Sequence, residues 1–443
     1  MRHEPARLSG YPGGDSGNLL ILYQLNMLRN YLKIAWKVLK RNPFFTFVSL
    51  FGISLTIAIL LVLAALIDHA LGAHYPETFR DRTLNVLRVR MDNGKDGSWQ
   101  EQASFYYLDH YVKQLKTPEV VALISHGELT NTFVGNKKLS LTLKYTCENF
   151  WKANDFDFLE GRPYDKQQID NNEYVAVISE ATRDAYFGKG QKAAGQWIET
   201  DNTRYRVSGV VRNVSQARFI TFSDIYAPYN TSKSNLEEKI FLGPYFGIIL
   251  ARNKSDLPRI REEFQSMVTR IEIPPLEDWR KEYKFLVSKV STPYEMIAST
   301  VFGEDNSPVA KLTAILVTAM VLFMSLPALN LVNLNSSRIM ERSSEIGVRK
   351  AFGATSSTLV VQFIVENILL TLVGGIIALV LAAGILEWVE GSGLIPYASL
   401  SINFRIFLVA VILCFFFGIL SGVLPAFQMS KLKIVNALKD HEL

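Results

Sequence analysis

Hydrophobic and polar residues alternate along this chain on two length scales. On the longer scale, four windows are apolar enough to cross a bilayer: Phe44 to Ile67, about Leu312 to Asn335, about Leu359 to Leu386, and about Ile406 to Phe427. The first holds 24 residues. At about 1.5 Å per residue it spans roughly 36 Å, enough for a hydrocarbon core of about 30 Å with some tilt. It is too long for a signal-peptide core and no small-residue cleavage site follows, so it reads as a retained span. Between the first and second windows, His74 to about Ser307 has the composition of a soluble domain. Some 230 residues suffice for one large domain or two subdomains.

On the shorter scale this block mixes periods of 2 and 3.6. Leu84 to Met91, Leu139 to Thr146 and Arg204 to Val214 alternate as half-buried strands, with Gly209 marking a bulge in the last. Tyr174 to Ser179 and Phe246 to Arg252 are apolar runs of strand length, and the first leads into a helical EATRDAYFG. Leu257, Ile260, Phe264 and Met267 recur at helical spacing through Ile271. The predicted fold is a membrane protein with four transmembrane α-helices and a large α+β extracytoplasmic domain inserted between helices 1 and 2.

Charge orients the spans. Arg29, Lys33, Lys37, Lys40 and Arg41 precede the first; Arg338, Arg342, Arg349 and Lys350 lie between the second and third; Lys431, Lys433 and Lys439 follow the fourth. The 3–4 connection, Glu387 to Asn403, has no Lys or Arg. Both termini and the 2–3 loop are therefore expected in the cytoplasm, with Arg405 snorkelling at the outer face. The net charge of +5 sits beside the apolar runs, which speaks for membrane orientation and against nucleic acid. Residues 28–41 carry Leu28, Tyr31, Leu32, Ala35 and Leu39 on one helical face and the cations on the other. They read as an interfacial amphipathic helix or as a basic flank without fixed structure. The resulting map is 1–26 a disordered or non-native start, 27–43 the amphipathic helix, 44–71 span one, 72–307 the outer domain and 308–336 span two. It continues with 337–356 a cytoplasmic loop, 357–388 span three, 389–403 a short outer loop, 404–428 span four and 429–443 a cytoplasmic tail.

Catalytic signatures are absent from the sequence. The six histidines show no ligand spacing, Cys147 and Cys414 form no metal or disulfide pattern, and no nucleophile elbow, HExxH or EF-hand loop occurs. Asp155, Asp157 and Glu160 cluster in NDFDFLEG, where a solvated turn between inward-packing aromatics outweighs a metal site. GxxxxGK[ST] does not occur, so P-loop ATP hydrolysis is expected of another chain.

One charged island stands out: ERSSEIGVRKAFG, Glu341 to Gly353, between two apolar runs. It cannot lie in hydrocarbon. With GATSSTLVVQFIVENILLTLVGG after it, it resembles the signature of the FtsX-like permease family of ABC transporters, in the MacB-type group. The matching positions are Arg342, Glu345, Ile346, Gly347, Arg349, Lys350, Ala351, Gly353, Ala354, Gln362, Glu366, Gly374 and Gly375. The terminal LPAFQMSKLKIVNALKD resembles the family's end, with Ile434 where proline is common. ENFWKANDFDFLEGRPYD, VAVISEATRDAYFG, AAGQWIE and YRVSGVVRNV follow in the order of a MacB-like periplasmic core domain.

The resemblance implies a non-catalytic permease subunit in the inner membrane, as a homodimer or a heterodimer with a related permease. It implies a cytoplasmic ATPase partner that binds ATP and Mg, no cofactor in this chain, and a possible periplasmic adaptor. Motion of the ATPase would reach the outer domain through the spans, for efflux or extraction of an antibiotic, peptide or lipoprotein. The island then reads as a coupling helix. Glu341, Arg342, Glu345, Arg349 and Lys350 offer ion pairs, Ile346, Val348 and Phe352 an apolar anchor, and Gly347 and Gly353 a turn or close approach. A loop that only fixes topology is the simpler reading of the same charges. Glu366, with Asn330 and Asn333, forms the intramembrane polar set, where a structural hydrogen-bonding role outweighs a relay. Gly374 and Gly375 allow close helix packing. The alternative function is a membrane-anchored sensor or regulator of envelope processes, although no cytoplasmic output domain is legible.

Overall fold

The computed structural model describes residues 40–41, 43–95, 97–273, 283–303, 307–341, 348, 351–353, 355–400, 407–409, 412, 415–416 and 419. Most of the amphipathic segment 27–43, most of the predicted span 404–428 and the 429–443 tail lie outside these residues. The chain divides into two units. One comprises Met1–Ala64, Thr318–Ile385 and Ile402–Leu443; the other comprises Ala65–Val317 and Leu386–Ser401.

In chain order the elements are helix α1 (Pro43–Leu71), strands β1 (Thr83–Asp92) and β2 (Ser98–Glu101), helix α2 (Phe105–His110), and strands β3 (Val120–Ser125), β4 (Glu128–Val134) and β5 (Lys137–Thr146). Next come α3 (Phe150–Ala153), β6 (Phe158–Gly161), α4 (Lys166–Asp170), β7 (Val175–Ser179), α5 (Glu180–Tyr186), β8 (Trp197–Thr200), β9 (Thr203–Val211), β10 (Ile225–Pro228) and β11 (Tyr245–Leu250). Then follow α6 (Leu257–Val268), β12 (Phe285–Ser291), α7 (Pro293–Phe302), α8 (Pro308–Glu341) and α9 (Ser356–Ser392).

The strands form one sheet in the order β12-β1-β11-β3-β5-β10-β7-β9-β6, with β2, β4 and β8 added to β1, β5 and β9. Pairing is antiparallel except at β10·β5 and β7·β9. Two cores lie on the sheet. Val175 and Val177 enter the one with Tyr107, Phe150, Tyr226 and Ile249. Ala176 and Ile178 enter the other with Tyr145, Ile198, Tyr205 and Ile225. Adjacent residues of a strand face opposite ways, so a strand covered on both sides must be apolar throughout. That is why β7, β10 and β11 are unbroken runs while β5 and β9 alternate. Gly209 sits at a register shift, where Ala176 pairs with Val207 but Val177 with Gly209. In NDFDFLEG the aromatics pack inward, Phe156 against Trp151 and Tyr226. Glu160 accepts from the Ala193 and Ala194 amides.

In the apolar unit, Ile53, Ile57, Ala58 and Leu61 of α1 pack with Leu370, Ala378 and Ala382 of α9. Phe47, Phe51, Leu55, Ile59 and Leu63, four residues apart, form an exposed stripe on α1. Among the described residues, Thr46–Leu71 and Ile364–Ser392 are long and apolar enough to cross a membrane, and Pro308–Phe323 is a shorter apolar stretch. Helix α8 continues through Glu341, past the 336 expected for its end. Ser54 and Thr56 return their hydroxyls to the carbonyls of Phe51 and Gly52.

The glycine pair divides in role. A Cβ on Gly374 would stand 2.6 Å from Ile53 Cγ2 and 3.1 Å from Ile53 Cβ, so the α1–α9 approach requires glycine there. Gly375 has nothing within 4 Å of such a Cβ and borders an apolar cavity of about 190 Å³. Without a hydrophobic drive between helices in lipid, this close contact is a main source of their association. Gly374→Leu is therefore expected to lose about 1–3 kcal/mol by overpacking, and Gly375→Ala to be near neutral. Thermal unfolding of the two variants in detergent checks this; equal midpoints would contradict it.

Candidate functional site

Helix α1 ends with carbonyls that its own amides cannot satisfy. Its outer end, residues 65–71, belongs to the same unit as the sheet. Two guanidiniums close it. Arg218 Nη2 donates to His69 O at 2.8 Å and to Gly72 O at 3.0 Å. Arg80 Nη1 donates to Ala70 O at 2.6 Å. Cations at a helix C-terminus also answer the negative end of its dipole.

One carboxylate holds both cations. Glu77 Oε2 accepts from Arg218 Nη1 at 3.0 Å and lies 2.9 Å from Arg80 Nε, while Glu77 Oε1 accepts from Thr221 Oγ1 at 2.8 Å. The Arg218 side chain is 1% exposed, so this pair is buried rather than screened at a surface. Burial lowers the Arg80 pKa, and Glu77 opposes that shift. Beside the clamp, His69 Nε2 lies 3.1 Å from Ser215 Oγ and His74 Nε2 lies 3.0 Å from Asp68 Oδ2.

Arg218 and Thr221 of the clamp come from the loop 215–221, and that loop is anchored twice more. Lys144 of β5 is buried and donates Nζ to Phe219 O and Ile220 O at 2.5 and 2.9 Å. Desolvation pulls its pKa down to about 7, with Glu77 opposing. On the other side, the Gln216 amide donates to Pro396 O at 3.3 Å, in the segment after α9. The outer end of α1 and the chain following α9 thus meet one loop, which β5 holds. Separately, Tyr294 OH of α7 lies 2.8 Å from Thr313 Oγ1 in the first turns of α8.

The sequence-predicted sites fare differently. Glu341 is the last residue of α8, and Arg342, Glu345, Ile346, Gly347, Arg349 and Lys350 lie outside the described residues. The Phe352 amide donates to Val348 O at 3.1 Å. Gly353 follows with φ +91°, the left-handed residue that ends helices. Thr355 then accepts from the Thr358 amide at 3.3 Å as the N-cap of α9. Phe352 is 89% exposed. Glu366 is buried in α9 and accepts from Gln362 Nε2 at 3.0 Å, one turn away, with Asn367 buried beside it. Asn330 and Asn333 fall within α8, and their side chains are outside the described set.

Sequence reasoning missed Glu77, Arg80, Arg218 and Lys144. No local pattern in the sequence separates any of these buried ions from a solvated one. Asn367 was legible only as a polar residue beside Glu366.

Removing one partner of a buried ion cluster costs about 3–5 kcal/mol. Glu77→Gln, which strands two guanidiniums, is expected to lower stability by roughly that amount, read as the denaturation midpoint of the detergent-solubilised chain. A change typical of a surface substitution would contradict the clamp. Lys144 gives a pH signature. Its folded pKa near 7 lies below the unfolded value of about 10.4. Between those values the unfolded chain holds more protons, so stability rises with pH, by up to about 1.4 kcal/mol per unit from this group. Thermal midpoints should climb from pH 7.5 to 9.5, and Lys144→Met should flatten the climb.

A family model for the MacB-like periplasmic core domain matches residues 46–267, and one for the FtsX-like permease C-terminal region matches residues 317–434. The chain is 26% identical over 412 residues to the macrolide export ATP-binding/permease protein MacB of Wolinella succinogenes, covering 92% of this chain and 60% of that protein. It is 22% identical over 363 residues to the uncharacterized ABC transporter permease YknZ of Bacillus subtilis, covering 81% and 85% of the two chains. The crystal structure of the periplasmic region of MacB from Actinobacillus actinomycetemcomitans matches with 15% identity and a TM-score of 0.35, over 52% of this chain and 98% of that one. The chain spans only about 60% of the length of the Wolinella protein. With a MacB-like core domain followed by an FtsX-like C-terminal region, the chain belongs to the MacB-type family of ABC transporter permeases.

Proposed function

We propose that this chain is the membrane subunit of an ABC exporter whose ATP and Mg are bound by a separate ATPase chain. The ATPase docks on residues 337–356 in the cytoplasm. Its closing motion passes through the spans to the outer domain, which expels or extracts cargo on the periplasmic side. Both termini are cytoplasmic, the subunit sits in the inner membrane, and it acts as one of a pair of permeases. The observation that carries this reading is the Arg80–Glu77–Arg218 clamp. It makes the last turn of α1 and the loop 215–221 move as one body, as a transmitting device requires. The exposed Phe352 within the charge-dense island supports docking, because a large exposed apolar ring suits the centre of a protein interface. The name of the Wolinella relative joins ATP binding and permease in one protein. A separate ATPase supplies the same pairing here.

The reading is tested by co-expressing the chain with its ATPase. Glu345→Ala with Arg349→Ala, and separately Phe352→Asp, are expected to reduce ATPase co-purification at least tenfold, about 1.4 kcal/mol or more of binding. Unchanged recovery together with unchanged coupled hydrolysis would refute it.

A further inference from the structure

A register shift in the sheet gathers positive charge. Between Val86↔Val290 and Val89↔Ser288 the strand β1 carries one extra residue, so Leu87 and Arg88 stand opposite Lys289 alone. Like charges across a strand pair repel, yet Arg88, Lys289 and Arg90 all line one cavity of about 90 Å³. Ser291 of β12 and Ser299 of α7 add hydroxyls to its wall, while Thr300 of α7 gives its hydroxyl proton to Met296 O at 2.9 Å. One of the three cations, Arg90, has a carboxylate within ion-pair distance. Asp92 Oδ2 lies 4.0 Å from Arg90 Nε, beyond hydrogen-bond reach, and Arg90 Nε is shielded from solvent without an acceptor among the described residues. Glu295 is held by Arg261 at 2.6 Å, and Glu101 accepts from Trp99 Nε1 at 3.0 Å.

Three cations and two serine hydroxyls around a space for several waters suit a tetrahedral oxyanion. We propose that the cavity between β1, β12 and α7 binds a phosphate group. Arginine forks supply paired donors to its oxygens and the lysine a point charge. The group could be carried by a lipid headgroup or arrive free in solution. Thr300 precedes the start of α8 by eight residues, and α7 is tied to α8 through Tyr294 and Thr313. A phosphate bridging the sheet to α7 would therefore also brace the root of α8. This inference does not rest on the ATPase reading and is testable without an ATPase.

The test uses the full chain in phosphatidylcholine nanodiscs and follows its thermal midpoint. One arm adds low-millimolar inorganic phosphate at ionic strength matched with chloride. The other replaces part of the phosphatidylcholine with phosphatidylglycerol. The expected result is a rise of several degrees in at least one arm that is lost in R88Q/K289Q. A rise with phosphate assigns a free ligand; a rise only with phosphatidylglycerol assigns a lipid headgroup. Because Arg88 and Lys289 repel, the double variant should fold at least as well as the parent without ligand. R88K/K289R, which keeps the charges, should retain part of the rise. No rise in either arm, or a rise that survives R88Q/K289Q, would overturn the proposal.

Discussion

A long apolar helix cannot simply stop. Its last carbonyls need donors, and at the outer end of α1 these come from Arg80 and Arg218, which are themselves held by Glu77. The rest of the outer domain's attachment follows from that requirement. Two buried guanidiniums repel unless a carboxylate stands between them, and the carboxylate needs a further donor, which Thr221 supplies. The loop 215–221 must then be fixed, and the Lys144 amino group does this by donating to two successive carbonyls. Lys144 in turn sits on β5, which joins the two halves of the sheet order through β3 and β10. A chain of obligatory polar contacts thus runs from the end of a helix to the middle of the sheet. A buried polar network is stiff because losing any member strands the others.

The same logic takes another form in the apolar unit. The α1–α9 contact rests on the missing side chain at Gly374 and the small ones at Ala378 and Ala382. Among the polar groups buried in α9, Gln362 donates to Glu366 one turn along the helix. Close packing in one unit and ionic capping in the other are both rigid joints, as the proposed transmission of motion requires.

Much of this was legible in the chain. Apolar runs of 24 or more residues locate helices by length alone, and alternation located β1, β5 and β9 because polar and apolar residues alternate along much of each, although half of β1 and β5 is buried on both faces. The short strands β2, β6, β8 and β10 were not legible, since four residues carry too little period. Strand β12 carries Lys289 toward a cavity and so breaks the pattern that would reveal it. Within the glycine pair, the sequence indicated close packing but not which member makes it; that depends on the rotation of α9 against Ile53. The clamp was invisible because Glu77 and Arg218 are 141 residues apart, and only the fold brings them together.

The central claim is that the end of α1 drives the outer domain through the clamp. Hydrogen exchange of the 215–224 segment, in the assembled complex with and without trapped ATP, tests it most directly. The account predicts a nucleotide-dependent change in protection that disappears in Arg218→Met while ATPase binding persists. An identical change in that variant would contradict it.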